Sequence, residues 1–224
     1  MKKIFVCMLS LMMLFLTACG NTEGAAEKKT TTVEKNVKSD SEKQNMEAKN
    51  KILVVYFSRT GENYEVGNIK KGNTHIMADM IAEAVGADTF EIKTVKPYPA
   101  DYRECTEVAK KELAENARPA IEGKVSNWQN YDTVFLGYPI WWSELPMPVY
   151  TFIESYDWQG KTVIPFCTSA GDVLTGKEDN ITKYAKGAKL RKGLGIRGKR
   201  TQDNPESVKA DVLKWLKELG FNAR

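Results

Sequence analysis

The chain has 224 residues, with 33 basic side chains against 29 acidic ones, four cysteines and one histidine. So even a balance leaves no strong basic stripe, and nucleic acid is excluded as a partner. Cys7 and Cys19 belong to the leader segment, and the remaining two cysteines, Cys105 and Cys167, make neither a disulfide framework nor, without histidine partners, a zinc site.

The first 18 residues read as a signal peptide, not as part of the fold. Met1-Lys-Lys3 is basic and 4–16 is almost wholly apolar, a run shorter than the ~20 residues a membrane span needs. Leu16-Thr-Ala-Cys19 follows, and it resembles the lipobox of bacterial lipoproteins. That resemblance implies cleavage before Cys19, lipid on Cys19, and an extracytoplasmic protein anchored to the cell membrane. Residues 19–50 then read as a disordered tether, since they hold almost no large apolar side chain. Six lysines balance six acids between Glu23 and Lys49, so this is a spacer and not a polybasic membrane grip.

One domain is expected over 51–224, with a sizeable core. Apolar runs predict strands at 52–57, 89–92, 133–136, 162–166 and 189–196. The first and fourth are continuous enough to be parallel strands covered on both faces. A helix is expected over 74–85, with Ile76, Met77, Met80, Ile81, Ala84 and Val85 on one stripe and Gly86 as its stop. Asp101-Tyr-Arg-Glu104 has capping-box spacing and opens a helix whose Cys105, Val108, Ala109 and Leu113 should face inward. Weaker signals mark helices at 146–156 and 177–184. Asn204 and Pro205 start the last helix, with Val208, Val212, Trp215, Leu216 and Leu219 on its buried face and Gly220 at its end. Strands alternating with helices imply a three-layer α/β/α sandwich around a parallel sheet, its ligand beyond the carboxyl ends of the strands.

Three loops leave those ends with unusual content. Ser58-Arg-Thr-Gly61 with Asn73 and Thr74 places hydroxyls and glycine at a helix N-terminus, where a phosphate is favoured. Gly137-Tyr-Pro-Ile-Trp-Trp-Ser-Glu-Leu-Pro146 offers planar faces to a flat aromatic ligand, or else packs its loop onto the next helix. Thr168-Ser-Ala-Gly-Asp172 is small and polar, and its backbone can approach a ring edge. His75, beside the first loop, is either a phosphate contact or a solvated helix residue. The basic cluster 186–200 reads as a solvated face or strand edge.

Those three loops, in that order on an alternating chain, resemble the flavodoxin-like family over 51–221. The resemblance implies a five-stranded parallel sheet in the order 2-1-3-4-5 and flavin mononucleotide (FMN) as cofactor. It assigns the phosphate to Ser58, Arg59, Thr60, Asn73 and Thr74. One side of the flavin ring falls to Pro139, Ile140, Trp141 and Trp142, and the other rim to Thr168, Ser169 and Gly171. Two features depart from the family. The family's phosphate loop is usually unbroken, whereas 62–72 here separates Gly61 from Asn73 and brings Tyr64 towards the phosphate or the ring; this matches an often exported branch better. The acidic rim with which flavodoxins dock their partners is also missing from this mildly basic chain, so the redox partner stays unidentified. The expected function is electron transfer by a lipid-anchored FMN protein. The alternatives are an NAD(P)H:quinone-type FMN reductase, a lipoprotein binding some other flat or phosphorylated molecule, and a scaffold without cofactor.

Overall fold

In a computed structural model, residues 51–171, 174 and 177–223 are described. The signal segment, Cys19 and the tether lie outside the described residues, as do Asp172 and Gly176 of the third loop. Among the described residues, no helix is long and apolar enough to cross a membrane.

The sheet is parallel. Strand β1 (Lys51–Tyr56) pairs with β4 (Asp88–Glu91) on one side and β5 (Tyr131–Pro139) on the other. Beyond β5 comes β6 (Thr162–Ser169), and its far edge is shared by β7 (Lys189–Leu190) and β8 (Leu194–Arg197). With β7 and β8 in one position, the order is the expected 2-1-3-4-5. The single strand expected over 189–196 is thus two short ones, and Pro165 gives the reason. Proline has no N–H for a neighbouring strand. Gly193 lies so close to it that a Cβ there would meet the Pro165 carbonyl at 2.6 Å.

Alternation along the strands fills two cores. Leu53, Val55, Val134, Leu136, Val163 and Cys167 point to one face, against α3 (Met147–Glu154), Trp128 and Trp158. Val54, Tyr56, Phe135, Ile164, Phe166 and Ile196 point to the other. There they meet α1 (Asn73–Val85) through Met77, Ala78, Ile81 and Ala84, and α6 (Pro205–Glu218) through Val208, Val212, Trp215 and Leu216. Strands buried on both faces must be apolar throughout, which is why β1 reads as an unbroken run.

The helix punctuation is physical. Gly86 takes a left-handed φ of 65° at the end of α1. Asp101 Oδ1 accepts the Glu104 N–H at 2.8 Å and caps α2 (Tyr102–Ala114). Asn204 Oδ1 does the same for the Ser207 N–H of α6 at 3.2 Å. Cys105 and Ala109 of α2 are buried, but Val108, expected inward, is 38% exposed. Val108 lies one residue, about 100° round the helix, from Ala109, on the flank of the stripe that Cys105 and Ala109 define at i and i+4. Helix α4 (Glu178–Tyr184) falls within its expected span. Three features carry no sequence signal: α5 (Gly198–Asp203), a 3-10 turn at Trp128–Asn130, and a hairpin of β2 (Gly61–Asn63) with β3 (Gly67–Ile69) inside the expected insertion.

Candidate functional site

Strands β1, β5 and β6 each pass their chain to a loop at the same edge of the sheet. After β1, the Phe57 N–H still donates to the Gly137 carbonyl of β5 at 2.9 Å, so loop 58–72 starts beside the aromatic loop. Ser58 Oγ then accepts the His75 N–H at 3.1 Å, in the first turn of α1. Its own O–H remains able to donate. A Cβ on Gly72 would lie 2.2 Å from Ser58 Oγ and 2.5 Å from the Arg59 carbonyl. The chain therefore leaves into the hairpin and returns to the point it left. The insertion that separates the loop in sequence does not separate it in space.

Each proposed phosphate residue has its own setting. Asn73 lines the crevice described below. Thr74 is buried, its hydroxyl 2.8 Å from that of Thr168, which ties α1 to the end of β6. Thr60 is exposed. The Arg59 side chain is committed elsewhere: it donates to the carbonyls of Pro99 at 2.7 Å, Ala100 at 2.6 Å and Asp101 at 3.1 Å, and also to that of Glu62. The part left to Arg59 at the phosphate is therefore that of its backbone. Backbone carbonyls engage Nε, Nη1 and Nη2 of the guanidinium and turn it towards the 99–101 segment, while the Arg59 backbone N–H remains to be offered to an anion. His75 stacks at 4.7 Å on Tyr56 and holds Asp79 at 3.6 Å, outside the crevice lining.

The aromatic loop makes a tight turn. Trp141 and Glu144 exchange backbone hydrogen bonds of 3.0 and 2.9 Å, with φ of 52° at Trp142 and 58° at Ser143. Two positive φ values in succession are the pattern of a type I′ turn, which normally takes glycine or asparagine. Without glycine each residue costs about 1–3 kcal/mol of backbone strain. The strained turn turns the two tryptophans apart. Trp141 packs edge-on against Phe57 and Tyr98, centroids 5.3 and 5.0 Å away. Trp142 stays 48% exposed, its indole N–H donating to the Thr106 carbonyl at 3.0 Å and Lys110 over its ring. Trp141 is thus packed into the loop while Trp142 is left open to solvent, and both line the crevice described below.

In the third loop, Ser169 Oγ accepts the Gly171 N–H at 3.1 Å and donates to the Gly171 carbonyl at 2.7 Å. This closes the bend, and Gly171 itself stays outside the crevice lining.

A crevice of about 420 Å³ joins the three loops. Pro139, Ile140, Trp141 and Trp142 form one wall; Thr168, Ser169 and Ala170 form another; Arg59 and Asn73 close one end. Tyr64 lines it too, and sequence reasoning missed the rest: Tyr102, Cys105, Thr106 and Ala109 from α2, Asn63 and Glu65 from the hairpin, and Gly198 and Lys199 from the start of α5. The α2 residues carried a signal, since Cys105 and Ala109 share the face expected inward. Burial raises the Cys105 thiol above its ordinary pKa, so it is a neutral wall at pH 7. Burial and the 2.5 Å bond to Glu112 likewise push up the Tyr98 hydroxyl behind Trp141. Among the described residues, no cluster of His, Cys, Asp and Glu is placed to hold a metal.

A doubly wound parallel sheet with one crevice at the β1/β5 switch point, polar at a helix N-terminus and aromatic along its wall, defines a nucleotide-cofactor class of α/β protein. The sequence profile of the flavodoxin family matches residues 51–217. The chain belongs to the flavodoxin family. It is similar to the structure of a protein from Bacteroides uniformis ATCC 8492 described as a flavoprotein, at 34% identity over 75% of this chain and 99% of that one, TM-score 0.60. A second, from Bacteroides eggerthii DSM 20697 and similarly described, is 31% identical over 76% of this chain and 98% of that one, TM-score 0.59. A flavoprotein of Lactobacillus acidophilus NCFM, in complex with FMN, shares the fold at 23% identity over 68% and 97%, TM-score 0.51. No curated protein matches the chain.

Glu144 holds the aromatic wall in place. Its carboxylate accepts the Leu145 N–H at 2.9 Å, the Tyr150 hydroxyl at 2.8 Å and the Asn180 amide at 3.1 and 3.0 Å, with Lys177 at 3.5 Å. Burial pushes this carboxyl up, but the four partners together outweigh burial and hold it below its ordinary value. A depressed folded-state pKa stabilises above the unfolded value, near 4.3, and the contribution disappears as pH falls through the folded value. Glu144→Gln should cost about 1.5–3 kcal/mol at pH 7, the usual worth of a hydrogen bond to a charged group. Urea unfolding of parent and variant should show this gap narrowing as pH falls below the unfolded value of about 4.3. A gap that does not change with pH would mean that the charge is not what secures the loop.

Proposed function

We propose that the chain is an FMN-binding redox protein, anchored by lipid on Cys19 at the outer face of the bacterial cell membrane. One observation carries the flavin reading: a single crevice runs from a helix N-terminus to an aromatic wall. The first turn of α1 holds no acidic residue, and its N-cap Gly72 offers no side chain to the first N–H groups. Ser58 Oγ takes the His75 N–H, and the Asn73 and Thr74 N–H groups, which have no partner inside the helix, suit a dianionic phosphate. Ser58 adds a hydroxyl, and the Arg59 and Thr60 backbone a turn of further donors. Along the crevice, Pro139, Ile140 and Trp141 face Thr168, Ser169 and Ala170 across a space within the usual 300–1,000 Å³ of ligand sites. The residues fit the group, and a fold relative is in complex with FMN. When bound, FMN supplies the electron transfer; the protein binds it, orients it and excludes water.

The phosphate site is tested by comparing flavins. FMN should bind at least about 10-fold more tightly than riboflavin, the effect of one charge-assisted hydrogen bond. Equal affinities by fluorescence quenching would remove the phosphate site.

A second reading, NAD(P)H:quinone-type reduction, is favoured by the crevice mouth. Tyr64, Tyr102 and Trp142 are large apolar residues left 56%, 38% and 48% exposed, and all three border the crevice. They come from the hairpin, α2 and the strained turn, and Tyr64 and Tyr102 lie 6.2 Å apart. Such a mouth suits a flat aromatic acceptor better than a protein's charged rim. NAD(P)H and a proton would be consumed and the hydroquinone released. Trp142→Ala should then raise KM for a benzoquinone about 2- to 10-fold, the range of one aromatic contact. No turnover of any quinone by the parent leaves the carrier reading alone.

The anchor rests on Leu16-Thr-Ala-Cys19 followed by a spacer of balanced charge. Cys19→Ala should shift the protein from the membrane fraction to the soluble one, or leave its signal uncut. Unmodified parent protein in the secreted soluble pool would sink the lipid claim.

A further inference from the structure

Among the described residues lining the crevice, two side chains are cationic, Arg59 and Lys199. The Arg59 guanidinium is occupied by backbone carbonyls on the 99–101 side. Lys199 is differently placed. Its ammonium lies 2.7 Å from Asp203 Oδ2, one turn along α5, with the two side chains 44% and 54% exposed. An exposed pair of this spacing contributes little and gives way readily to a stronger anion.

The segment that carries Lys199 is fastened to the phosphate loop. Gln202 Nε2 donates to the Lys71 carbonyl at 2.9 Å and to Asn73 Oδ1 at 2.8 Å. Gly198 packs so closely on Asn73 that a Cβ would lie 2.6 Å from its Nδ2. Thr201 is buried, its hydroxyl bonded to the Gly198 carbonyl at 2.7 Å. From the other side, Glu65 of the hairpin grips Arg197 through two bonds, 3.1 and 2.6 Å. The hairpin and the β8–α5 junction therefore enclose the end of the crevice at which α1 begins.

We propose that Lys199 is a ligand of the cofactor's phosphate, completing with its ammonium a site otherwise built from loop hydroxyls and backbone N–H groups. The proposal rests on the flavin reading above. A dianion at the start of α1 competes for this ammonium against one exposed carboxylate, and the fixed N–H groups give it the advantage. Asp203 is the resting partner, and Gly198 is the spacer that lets the junction approach Asn73.

The test measures FMN and riboflavin affinities of the full chain by flavin fluorescence, at low and high salt. Lys199→Met should weaken FMN about 10- to 100-fold, leave riboflavin unchanged and flatten the salt dependence of FMN binding. Lys199→Arg should keep most of the affinity, and Asp203→Asn should strengthen FMN by removing the rival carboxylate. An FMN-to-riboflavin ratio identical in Lys199→Met and parent overturns the role of Lys199 and leaves the flavin reading standing. A parent that binds no FMN overturns both together.

Discussion

Parallel pairing in a common register is the constraint on which the rest of this molecule depends. Tyr56 aligns with Gly137, and Gly137 with Phe166, so β1, β5 and β6 reach one level together before releasing their loops. Gly137 has to be glycine for this: a Cβ would sit 2.1 Å from the Phe166 ring. With that ring packed across the central strand, the edge beyond is tight, and the three loops emerge as neighbours. The buried hydroxyl pair Thr74–Thr168 then ties the start of α1 to the end of β6.

Local conformational cost concentrates at this edge. Trp142 and Ser143 both adopt positive φ without glycine, in a turn closed by two backbone hydrogen bonds. Strain of that kind persists only where surroundings over-determine the geometry. Glu144 supplies much of that determination, since its carboxylate joins the turn to α3 through Tyr150 and to α4 through Asn180. The outcome is a divided pair: Trp141 packs against Phe57 and Tyr98, and Trp142 is left 48% exposed beside the crevice.

The inserted hairpin shows how a fold tolerates added length at its most sensitive loop. Closure entropy grows only logarithmically with loop length, so eleven more residues between ends that meet, as Arg59 and Gly72 do, add little cost. Arg59 clamps the base of the hairpin to the 99–101 segment, while Glu65 clamps its tip to Arg197. The hairpin thereby becomes a wall of the crevice, bringing Tyr64 and Glu65 to positions that a direct loop has no residues to fill.

Strands, most helices and the ligand-bearing edge were legible in the sequence because they depend on local periodicity and capping. The run 52–57, the Gly86 stop, the Asp101 cap and the Asn204–Pro205 start each act within a few residues. The three loops were legible for the same reason, being defined by where a strand ends. What each side chain does there was not. Arg59 reads as an anion ligand until its carbonyl partners, about forty positions away, come into place. Lys199 reads as one charge in a solvated cluster until Gln202 and Gly198 seat its helix on Asn73. Strand 189–196 reads as continuous until Pro165 faces it across the sheet. Sequence determines what neighbours along the chain compel; only the tertiary structure decides which distant group takes a donor, an acceptor or a space first, because those are claimed through contact and not through order.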